Sequence, residues 1–254
     1  MKKMTRDAKE KMTPFLTRPI AHRGLHNQEK GIPENSKEAF RRSVEGGYAI
    51  EVDVRLSRDG IPVAFHDGSL RRTTGGKSRL KKNTFQTLAQ TALFGTKETV
   101  PSLSDVLAIA NSKVPVMIEI KNWGFAGQLE KSVKAQVQQY HGNVSIMSFN
   151  PLVLWWWKKN MSDVPRGLVV GLSQSGIPVG WIGRKMATAY AAIAARICGA
   201  DFFALSQSLA LSTKKHHAKD RRPVRFVWAV TSDEDGILAK ETADNIIFEQ
   251  YHPE

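Results

Sequence analysis

The chain has 254 residues, of which 41% are hydrophobic and 24% charged, the composition of a soluble globular protein with a sizeable core. Its length allows one (β/α) barrel to form a single domain, and its one cysteine, Cys198, excludes an internal disulfide and fits a reducing compartment. No run approaches the roughly 18 apolar residues of a membrane span, and residues 1–12 lack the apolar stretch of a secretory signal peptide. We therefore predict a cytoplasmic protein.

The formal net charge of +13 is unevenly distributed along the chain. Residues 71–82 hold six basic side chains and no acidic one. A second basic cluster, interrupted by one aspartate, comprises Lys214, Lys215, Lys219, Arg221, Arg222 and Arg225. Such clusters favour anionic partners, which include nucleic acid, acidic lipid headgroups and phosphorylated small molecules, although a solvated surface has the same composition.

Short apolar runs typical of strands alternate with helical patterns along the chain. Nine runs are predicted strands: residues 19–22, 48–55, 61–66, 114–120, 144–149, 167–171, 201–205, 225–230 and 245–249. Helical patterns begin after Asn35-Ser36 and after Ser104-Asp105, and glycines 46 and 47 end the first of them. Alternation of this kind predicts a parallel α/β fold, most simply a (β/α)8 barrel.

Nine strands exceed the eight places of such a barrel. Residues 58–60 are a turn signal between the second and third runs, which are too close together for a crossover helix. We interpret the third run as the return arm of a hairpin that carries His66 back towards Glu51 and Asp53. Because the sequence shows no internal repeat or linker, we predict a single domain over residues 1–254.

Four groups of polar residues lie at or just after predicted strand ends. They are His22-Arg23-Gly24, Glu51-Val52-Asp53, His66-Asp67 and Glu119-Ile120-Lys121. The carboxyl ends of barrel strands converge on one mouth, so these distant groups can form one site. Glu51 and Asp53 share a face of their strand, and Glu119 ends an apolar run that directs it inward. Taken singly, each group could equally be a structural histidine or an ion-paired strand end.

Three inward carboxylates repel one another and resist burial, and a divalent cation removes this conflict. Oxygen ligands favour a hard ion, Mg²⁺ or Ca²⁺, which would stabilise charge that develops on a phosphate. Arg23 and Lys121 would add positive charge to hold that phosphate. Cleavage of a diester also requires one group to accept a proton and another to donate one, and the histidines 22 and 66 are suited to either role.

The motifs resemble those of the glycerophosphodiester phosphodiesterase family from about residue 15 to the C-terminus. They read, in order, PIAHRG (19–24), PENS (33–36), IEVDVRLSRDG (50–60), VAFHD (63–67), LRRTTGG (70–76), TVPSLSDVL (99–107), IEIK (118–121), SFNP (148–151) and VWAV (227–230). The resemblance implies a (β/α)8 TIM barrel with a short inserted segment after the HD motif, at about residues 67–113. It also implies metal-dependent hydrolysis of glycerophosphodiesters to glycerol 3-phosphate and an alcohol.

The resemblance further assigns roles to single residues. The implied roles are acid and base for His22 and His66, metal ligands for Glu51, Asp53 and Glu119, phosphate contacts for Arg23 and Lys121, support of the metal site for Glu34, and contact with the leaving alcohol for Trp228. Two positions depart from the family pattern. Ser36 replaces the threonine of PENT, and Glu249 stands near the C-terminus where family members more often carry an aspartate.

Other functions would use some of the same features. A lysophospholipase D-like or cyclising phosphodiesterase that acts on membrane lipid diesters would need the same metal and histidines. A metal-independent hydrolase would keep its activity in EDTA. A non-catalytic nucleic-acid binder fits the net charge, but the sequence contains no helix-turn-helix, RNP-like or zinc motif. We therefore predict a small-molecule phosphodiester as the partner, and no nucleic acid.

Three consecutive tryptophans, at positions 155–157, precede two lysines in a predicted helix. Three successive helical positions span about 200° of the helix surface, so these side chains cannot easily share one buried face. Tryptophan beside lysine is typical of membrane interfaces, and we hypothesise peripheral contact with the inner face of an anionic membrane. The alternative is that the tryptophans pack under neighbouring helices.

Overall fold

The structure is a computed structural model that describes residues 6–171, 181–211 and 223–253. The basic cluster predicted around residues 214–222 lies outside the described residues. The chain divides into two compact units. One comprises residues 20–144, and the other comprises the N-terminal residues up to 19 together with residues 145–254.

All nine predicted strands are present within the described residues, with bounds that shift by one or two positions. They are β1 (Ile20–Ala21), β2 (Ala49–Leu56), β3 (Pro62–Ala64), β4 (Val116–Ile120), β5 (Val144–Ser148), β6 (Arg166–Val170), β7 (Phe202–Ser206), β8 (Val224–Val230) and β9 (Asn245–Phe248). The helices are α1 (Arg6–Leu16), α2 (Lys37–Glu45), α3 (Arg71–Thr74), α4 (Phe85–Leu88), α5 (Leu103–Ala110), α6 (Gln128–Gln139), α7 (Pro151–Asn160), α8 (Trp181–Cys198), α9 (Gln207–Ala210) and α10 (Asp233–Thr242).

In the unit of residues 20–144, β2 is central. It pairs in parallel with β1 on one side and with β4 on the other. The register of β2 and β4 sets Asp53 opposite Glu119. Side chains alternate along a strand, so this register places both residues and Glu51 on one face of the sheet.

The short strand β3 pairs antiparallel with β2 and confirms the predicted hairpin. Gly60 supplies a left-handed backbone (φ +83°) at its turn, a conformation that residues with a Cβ rarely adopt. Past β3, the amide of Phe65 donates to the carbonyl oxygen of Asp53 at 2.9 Å. The return arm therefore ends with His66 beside the face that carries the carboxylates.

In the other unit, β5 to β9 form four consecutive parallel pairs of neighbours, β5 with β6 through to β8 with β9. Their residues are mostly buried, which explains why these strands read as continuous apolar runs. The buried Arg166 of β6 is ion-paired with Asp201 (Nη2 to Oδ2, 3.5 Å). The buried charge of this arginine therefore has a partner, which offsets the cost of its burial.

Helix caps explain where two helices begin. Ser36 caps α2, as predicted, and its hydroxyl oxygen accepts from the amide of Ala39. The predicted start of α5 after Ser104-Asp105 is wrong. The cap is Ser102, which exchanges hydrogen bonds with Asp105 in a capping box, so the helix begins earlier and Asp105 lies in its first turn.

The segment from residue 67 to 113 contains its own apolar cluster. The buried members of this cluster are Val63, Phe65, Leu70, Leu80, Leu88, Leu93 and Val100. The cluster joins β3 to the loops that follow it, so the basic residues of α3 and of the 3-10 turn Leu80–Lys82 are held on a packed support. The description of residues 67–113 as an insertion stays a prediction.

The tryptophan run on α7 does not share one environment. Trp157 is fully buried, whereas the side chain of Trp155 is 46% exposed. The expectation that the three side chains cannot share a buried face is confirmed. Across the described part of the chain, no helix is long and apolar enough to cross a membrane.

The contrast between these tryptophans gives a stability prediction. Trp157→Ala should lower the free energy of unfolding by about 3–5 kcal/mol, because it leaves a large cavity in the core. Trp155→Ala is the matched control and should change it by less than about 1 kcal/mol. Urea unfolding followed by circular dichroism measures both, and equal losses in the two variants would contradict the assigned burial.

Candidate active site

Three buried carboxylates form the centre of the site. Glu51 and Asp53 project from β2, and Glu119 projects from β4. All three are buried, and one oxygen from each lies within 4.8 Å of the others. The predicted carboxylate trio is therefore brought together by the parallel pairing of two neighbouring strands.

Two cations, the side chains of Lys121 and Arg23, lie against this trio. The Nζ atom of Lys121 is 3.0 Å from Oδ1 of Asp53 and 2.6 Å from Oε1 of Glu119. The Nε atom of Arg23 is 3.2 Å from Oδ2 of Asp53. Both cations are themselves largely buried, so water screens their attraction to the carboxylates only weakly.

The backbone of Arg23 contributes as well as its side chain. Arg23 has a left-handed conformation (φ +56°), which is uncommon for a residue with a Cβ. In this conformation its amide donates to Oε2 of Glu51 at 2.8 Å. Its carbonyl oxygen accepts from the amide of Asn35 at 2.9 Å. Local strain at this turn is thus coupled to the positioning of a carboxylate.

Burial and neighbouring charges shift the pKa values of the three acids in different directions. Burial, together with the charges of Asp53 and Glu119, raises the pKa of Glu51 well above its ordinary value. Burial also raises the pKa of Glu119 to about 7. Burial would raise the pKa of Asp53 too, but the charges of Lys121 and Arg23 outweigh it and hold that pKa well below the usual range. The trio therefore carries charge mainly on Asp53 when no metal is bound.

The donor set fits a hard divalent cation. Oε1 of Glu51 is buried and accepts no hydrogen bond from the described residues. Oδ1 of Asp53 and Oε1 of Glu119 likewise accept none with good geometry, although each lies near the Nζ atom of Lys121. A buried carboxylate oxygen without a donor is costly, and a cation bound by one oxygen from each residue would remove that cost.

His66 is oriented by its neighbour in sequence. Its Nδ1 atom is 2.7 Å from Oδ1 of Asp67. Burial would raise the pKa of Asp67, but hydrogen bonds from Arg72 and His66 lower it, so this carboxylate is ionised and can only accept. The proton therefore belongs on Nδ1, which leaves Nε2 as the acceptor atom of the neutral ring. Burial lowers the pKa of His66 and favours this neutral form.

His22 is buried directly after β1 and immediately before Arg23. In their protonated forms His22 and His66 both lower the pKa of Asp53, by less than Lys121 and Arg23 do. The two predicted histidines thus interact electrostatically with the same carboxylate, from separate segments of the chain.

Glu34 lies beside the site, in a position to support it. Its Oε1 atom is 3.0 Å from Nη1 of Arg23 and 2.6 Å from Nη2 of Arg72. Burial would raise the pKa of Glu34, but these arginines, and the hydrogen bond from Arg72 above all, lower it. Glu34 therefore pairs with Arg23 and Arg72 beside the carboxylate trio.

Sequence reasoning missed two residues of this site. Arg72 binds Glu34 with both Nη atoms and donates from Nε to Oδ2 of Asp67 at 2.7 Å. Asn35 donates from Nδ2 to Oδ2 of Asp53 at 3.0 Å and accepts from its amide. Both residues lie in recognised motifs, LRRTTGG and PENS, but nothing in the spacing of those motifs indicates which side chains their residues contact.

Trp228 and Glu249 lie in the other unit. The indole of Trp228 donates to the carbonyl oxygen of Ala204 at 3.1 Å and packs edge-on against Phe149. The amide of Glu249 donates to the carbonyl oxygen of Val230. The predicted contact of Trp228 with a leaving alcohol, and the role of Glu249, stay predictions.

Buried carboxylates beside paired cations and two histidines define a site for a hard metal ion and a phosphate-bearing ligand. Residues 22–248 match the glycerophosphoryl diester phosphodiesterase family, and the chain belongs to this family.

Two curated relatives show how far the similarity extends. The glycerophosphodiester phosphodiesterase of Caldanaerobacter subterraneus subsp. tengcongensis is 36% identical over 174 residues, which cover 64% of this chain and 69% of the relative. Human glycerophosphodiester phosphodiesterase 1 is 28% identical over 156 residues, which cover 57% of this chain and 46% of the relative. The matched region thus spans about half the length of the human relative.

A solved structure shows the fold. The phosphodiesterase of Oleispira antarctica, in complex with the product sn-glycerol-3-phosphate, superposes with a TM-score of 0.74 at 23% identity and covers 96% of this chain and 95% of that one. A putative glycerophosphodiester phosphodiesterase of Galdieria sulphuraria gives a TM-score of 0.70 at 20% identity over 92% of this chain and 94% of that one. The fold is a barrel of eight parallel strands surrounded by helices, which confirms the predicted (β/α)8 architecture.

The raised pKa of Glu119 predicts how stability depends on pH without metal. Between its ordinary pKa and about 7, the folded protein binds more protons at this carboxyl than the unfolded chain does. The contribution of Glu119 to stability is therefore full at low pH and is lost as pH rises.

In EDTA, wild type should consequently lose more stability than Glu119→Gln between about pH 5 and pH 8. The comparison with Glu119→Gln cancels the contributions of groups that lie away from the trio, and it reports Glu119 together with its effect on Glu51. Urea unfolding at the two pH values measures the difference. Parallel pH profiles for the two proteins would contradict the electrostatic description of the trio.

Proposed function

We propose that this protein hydrolyses glycerophosphodiesters to glycerol 3-phosphate and an alcohol in a metal-dependent reaction. Membership of the glycerophosphoryl diester phosphodiesterase family supports the reaction class. The observation that carries the proposal is the buried trio of Glu51, Asp53 and Glu119 with Arg23 and Lys121 against it.

Glu51, Asp53 and Glu119 would hold one divalent cation, Mg²⁺ or Ca²⁺. Their all-oxygen donor set favours these ions over zinc. When bound, the cation supplies a Lewis acid for a non-bridging phosphate oxygen.

The charges of the site match a phosphodiester. Three carboxylates face two cations, so the site has one surplus negative charge when all the acids are ionised. A divalent ion converts this surplus to one positive charge, which is the complement of the single negative charge of a diester. Arg23 and Lys121 would then orient the phosphate, and Glu34 holds the side chain of Arg23 in place.

His22 and His66 would exchange the protons of the reaction. Asp67 fixes the proton of His66 on Nδ1, so Nε2 would be the nitrogen that accepts or donates a proton in the reaction. One histidine takes a proton from the attacking water, and the other gives one to the leaving alcohol. The two are carried by separate chain segments, which suits groups that act on opposite sides of a scissile bond.

Two further roles extend this proposal. Trp228 would contact the leaving alcohol, and residues 67–113 would border the site as a short insertion within a single domain. The alternative of a lysophospholipase D-like or cyclising enzyme is not favoured, since the curated relatives are named glycerophosphodiester phosphodiesterases.

The mechanism predicts that the two histidines and the metal are separately required. His22→Ala and His66→Ala should each lower kcat for glycerophosphocholine by roughly 10²–10⁴-fold, and His141→Ala, an exposed histidine outside the site, should not. EDTA should abolish activity, and added Mg²⁺ or Ca²⁺ should restore it. Release of glycerol 3-phosphate in a coupled assay measures these effects, and full activity in EDTA would reject metal dependence.

Phosphorus NMR of the product separates hydrolysis from cyclisation. We expect a phosphate monoester alone, because water is the final acceptor of the phosphoryl group. Accumulation of a cyclic phosphodiester would support the cyclising alternative instead.

We also propose that the protein is cytoplasmic and touches the inner face of an anionic membrane, with no nucleic-acid partner. Exposure of Trp155 beside Lys159, whose Nζ atom lies 5.7 Å from the centre of the indole ring, supports a contact there. Trp157 supports none, since it lies in the core.

A further inference from the structure

The loop between β4 and α6, residues 122–127, presents two aromatic side chains to solvent. Trp123 is 72% exposed and Phe125 is 87% exposed, the two highest values among the large hydrophobic side chains that the structure describes. Soluble proteins seldom leave neighbouring large aromatics uncovered, and such patches commonly mark interaction surfaces.

The loop is fixed by its own hydrogen bonds. Nδ2 of Asn122 donates to the carbonyl oxygen of Phe125 at 3.1 Å and to Oε1 of Glu130 at 2.7 Å. The amide of Gly127 donates to Oε2 of the same Glu130, which is fully buried. The buried carboxylate of Glu130 thus anchors both ends of the loop. These hydrogen bonds fix the backbone that carries the two aromatic side chains.

The loop directly follows the site. It begins one residue after Lys121, whose Nζ atom contacts Asp53 and Glu119. A shallow groove of about 270 Å³ runs between Lys121, Leu56 and the two aromatics. A surface bound to the aromatics would therefore lie next to the phosphate-binding lysine.

Basic residues continue this surface on the other side of the β2–β3 turn. The turn contacts α6 through Ser132, whose hydroxyl donates to the carbonyl oxygen of Gly60 at 3.3 Å. It contacts the basic segment through the amide of Arg58, which donates to the carbonyl oxygen of Asn83 at 2.8 Å. Two exposed lysines, Lys81 and Lys82, immediately precede Asn83.

The charge of this neighbourhood is strongly positive. Residues 71–82 contain six basic side chains and no acid. Arg72 is used inside the site, but no ion pair joins Lys81 or Lys82 to an acid within residues 6–171, 181–211 and 223–253. The turn itself contributes exposed Arg58 and one acid, Asp59, which accepts from Ser57 and from the amide of Phe85.

We propose that residues 57–60, 71–82 and 122–127, the aromatic–basic rim, form a docking surface for an anionic lipid bilayer. Exposed tryptophan and phenylalanine beside lysines have the chemistry of the bilayer interface, where rings enter the headgroup region and cations meet acidic lipids. The aromatics lie on one short loop and the exposed lysines on a separate segment, whereas a single-stranded nucleic acid requires a continuous basic groove that tracks its backbone. The proposal gives a surface to the proposed membrane contact, and it rests on the proposed hydrolysis only in that the adjacent site receives a phosphodiester.

Vesicle sedimentation tests the aromatic–basic rim. The full chain should bind vesicles of equal parts phosphatidylcholine and phosphatidylglycerol, and bind phosphatidylcholine vesicles more weakly. Trp123→Ala plus Phe125→Ala should reduce partitioning into the mixed vesicles roughly tenfold or more. Lys81→Gln plus Lys82→Gln should reduce it by a similar factor at low salt and much less at high salt.

Ile237→Ala is the matched comparison, because it removes a 62% exposed hydrophobic side chain that is not part of the rim. It should leave partitioning unchanged, and Trp123→Phe should retain most of it, with the melting temperature of every variant equal to that of wild type. Unchanged partitioning of the Trp123 and Phe125 double variant would overturn the proposal, as would an equal loss of binding in Ile237→Ala.

Two further measurements distinguish the proposal from nucleic-acid binding and from the proposed hydrolysis. A single-stranded oligonucleotide that binds through Trp123 and Phe125 more tightly than the mixed vesicles do would overturn the proposal in favour of nucleic acid. Hydrolysis of glycerophosphocholine without vesicles should stay within about twofold of wild type in all rim variants. If wild type lacks this activity but binds vesicles through the rim, the proposed function fails and the docking surface stands.

Discussion

Three carboxylates occupy one buried volume between β2 and β4, and unpaired like charges are not tolerated there, since each buried ion costs several kcal/mol. The residues around Glu51, Asp53 and Glu119 reduce the repulsion between these carboxylates. Lys121 spans two of the acids, Arg23 contacts one through its side chain and another through its backbone amide, and protonation of the remaining acids lowers the charge further. The arrangement is complete only with a cation, because protein donors leave carboxylate oxygens without hydrogen bonds.

The same constraint extends outward to His66. Charged side chains of alternating sign form a continuous chain of contacts, Asp53, Arg23, Glu34, Arg72 and Asp67, which ends at the neutral ring of His66. Neighbouring charges in this chain offset one another, so the positions of Asp53 and His66 depend on one another. A change at Arg72 would therefore be transmitted both to Arg23, through Glu34, and to the tautomer of His66, through Asp67.

Much of this could be predicted from the sequence because it depends on local patterns. Strand periodicity located all nine strands, and two-residue spacing placed Glu51 and Asp53 on one face. Contacts between distant segments could not be predicted in this way: Arg72 and Asn35 carry no spacing signal for the side chains they bind. The start of α5 was wrong because two serines near one aspartate offer two caps, and only the fold selects Ser102. Composition likewise could not tell the exposed Trp155 from the buried Trp157.

The anchoring of the β4–α6 loop has a consequence for how such an enzyme can change. Asn122, Gly127 and Glu130 hold the ends of the loop, while residues 123–126 lie between them. The residues that fix the loop are therefore different from the residues that determine its surface chemistry. Sequence between the anchors can be exchanged while Lys121 keeps its place, so evolution or an engineer could retarget the protein to a new surface and leave the reaction as it was.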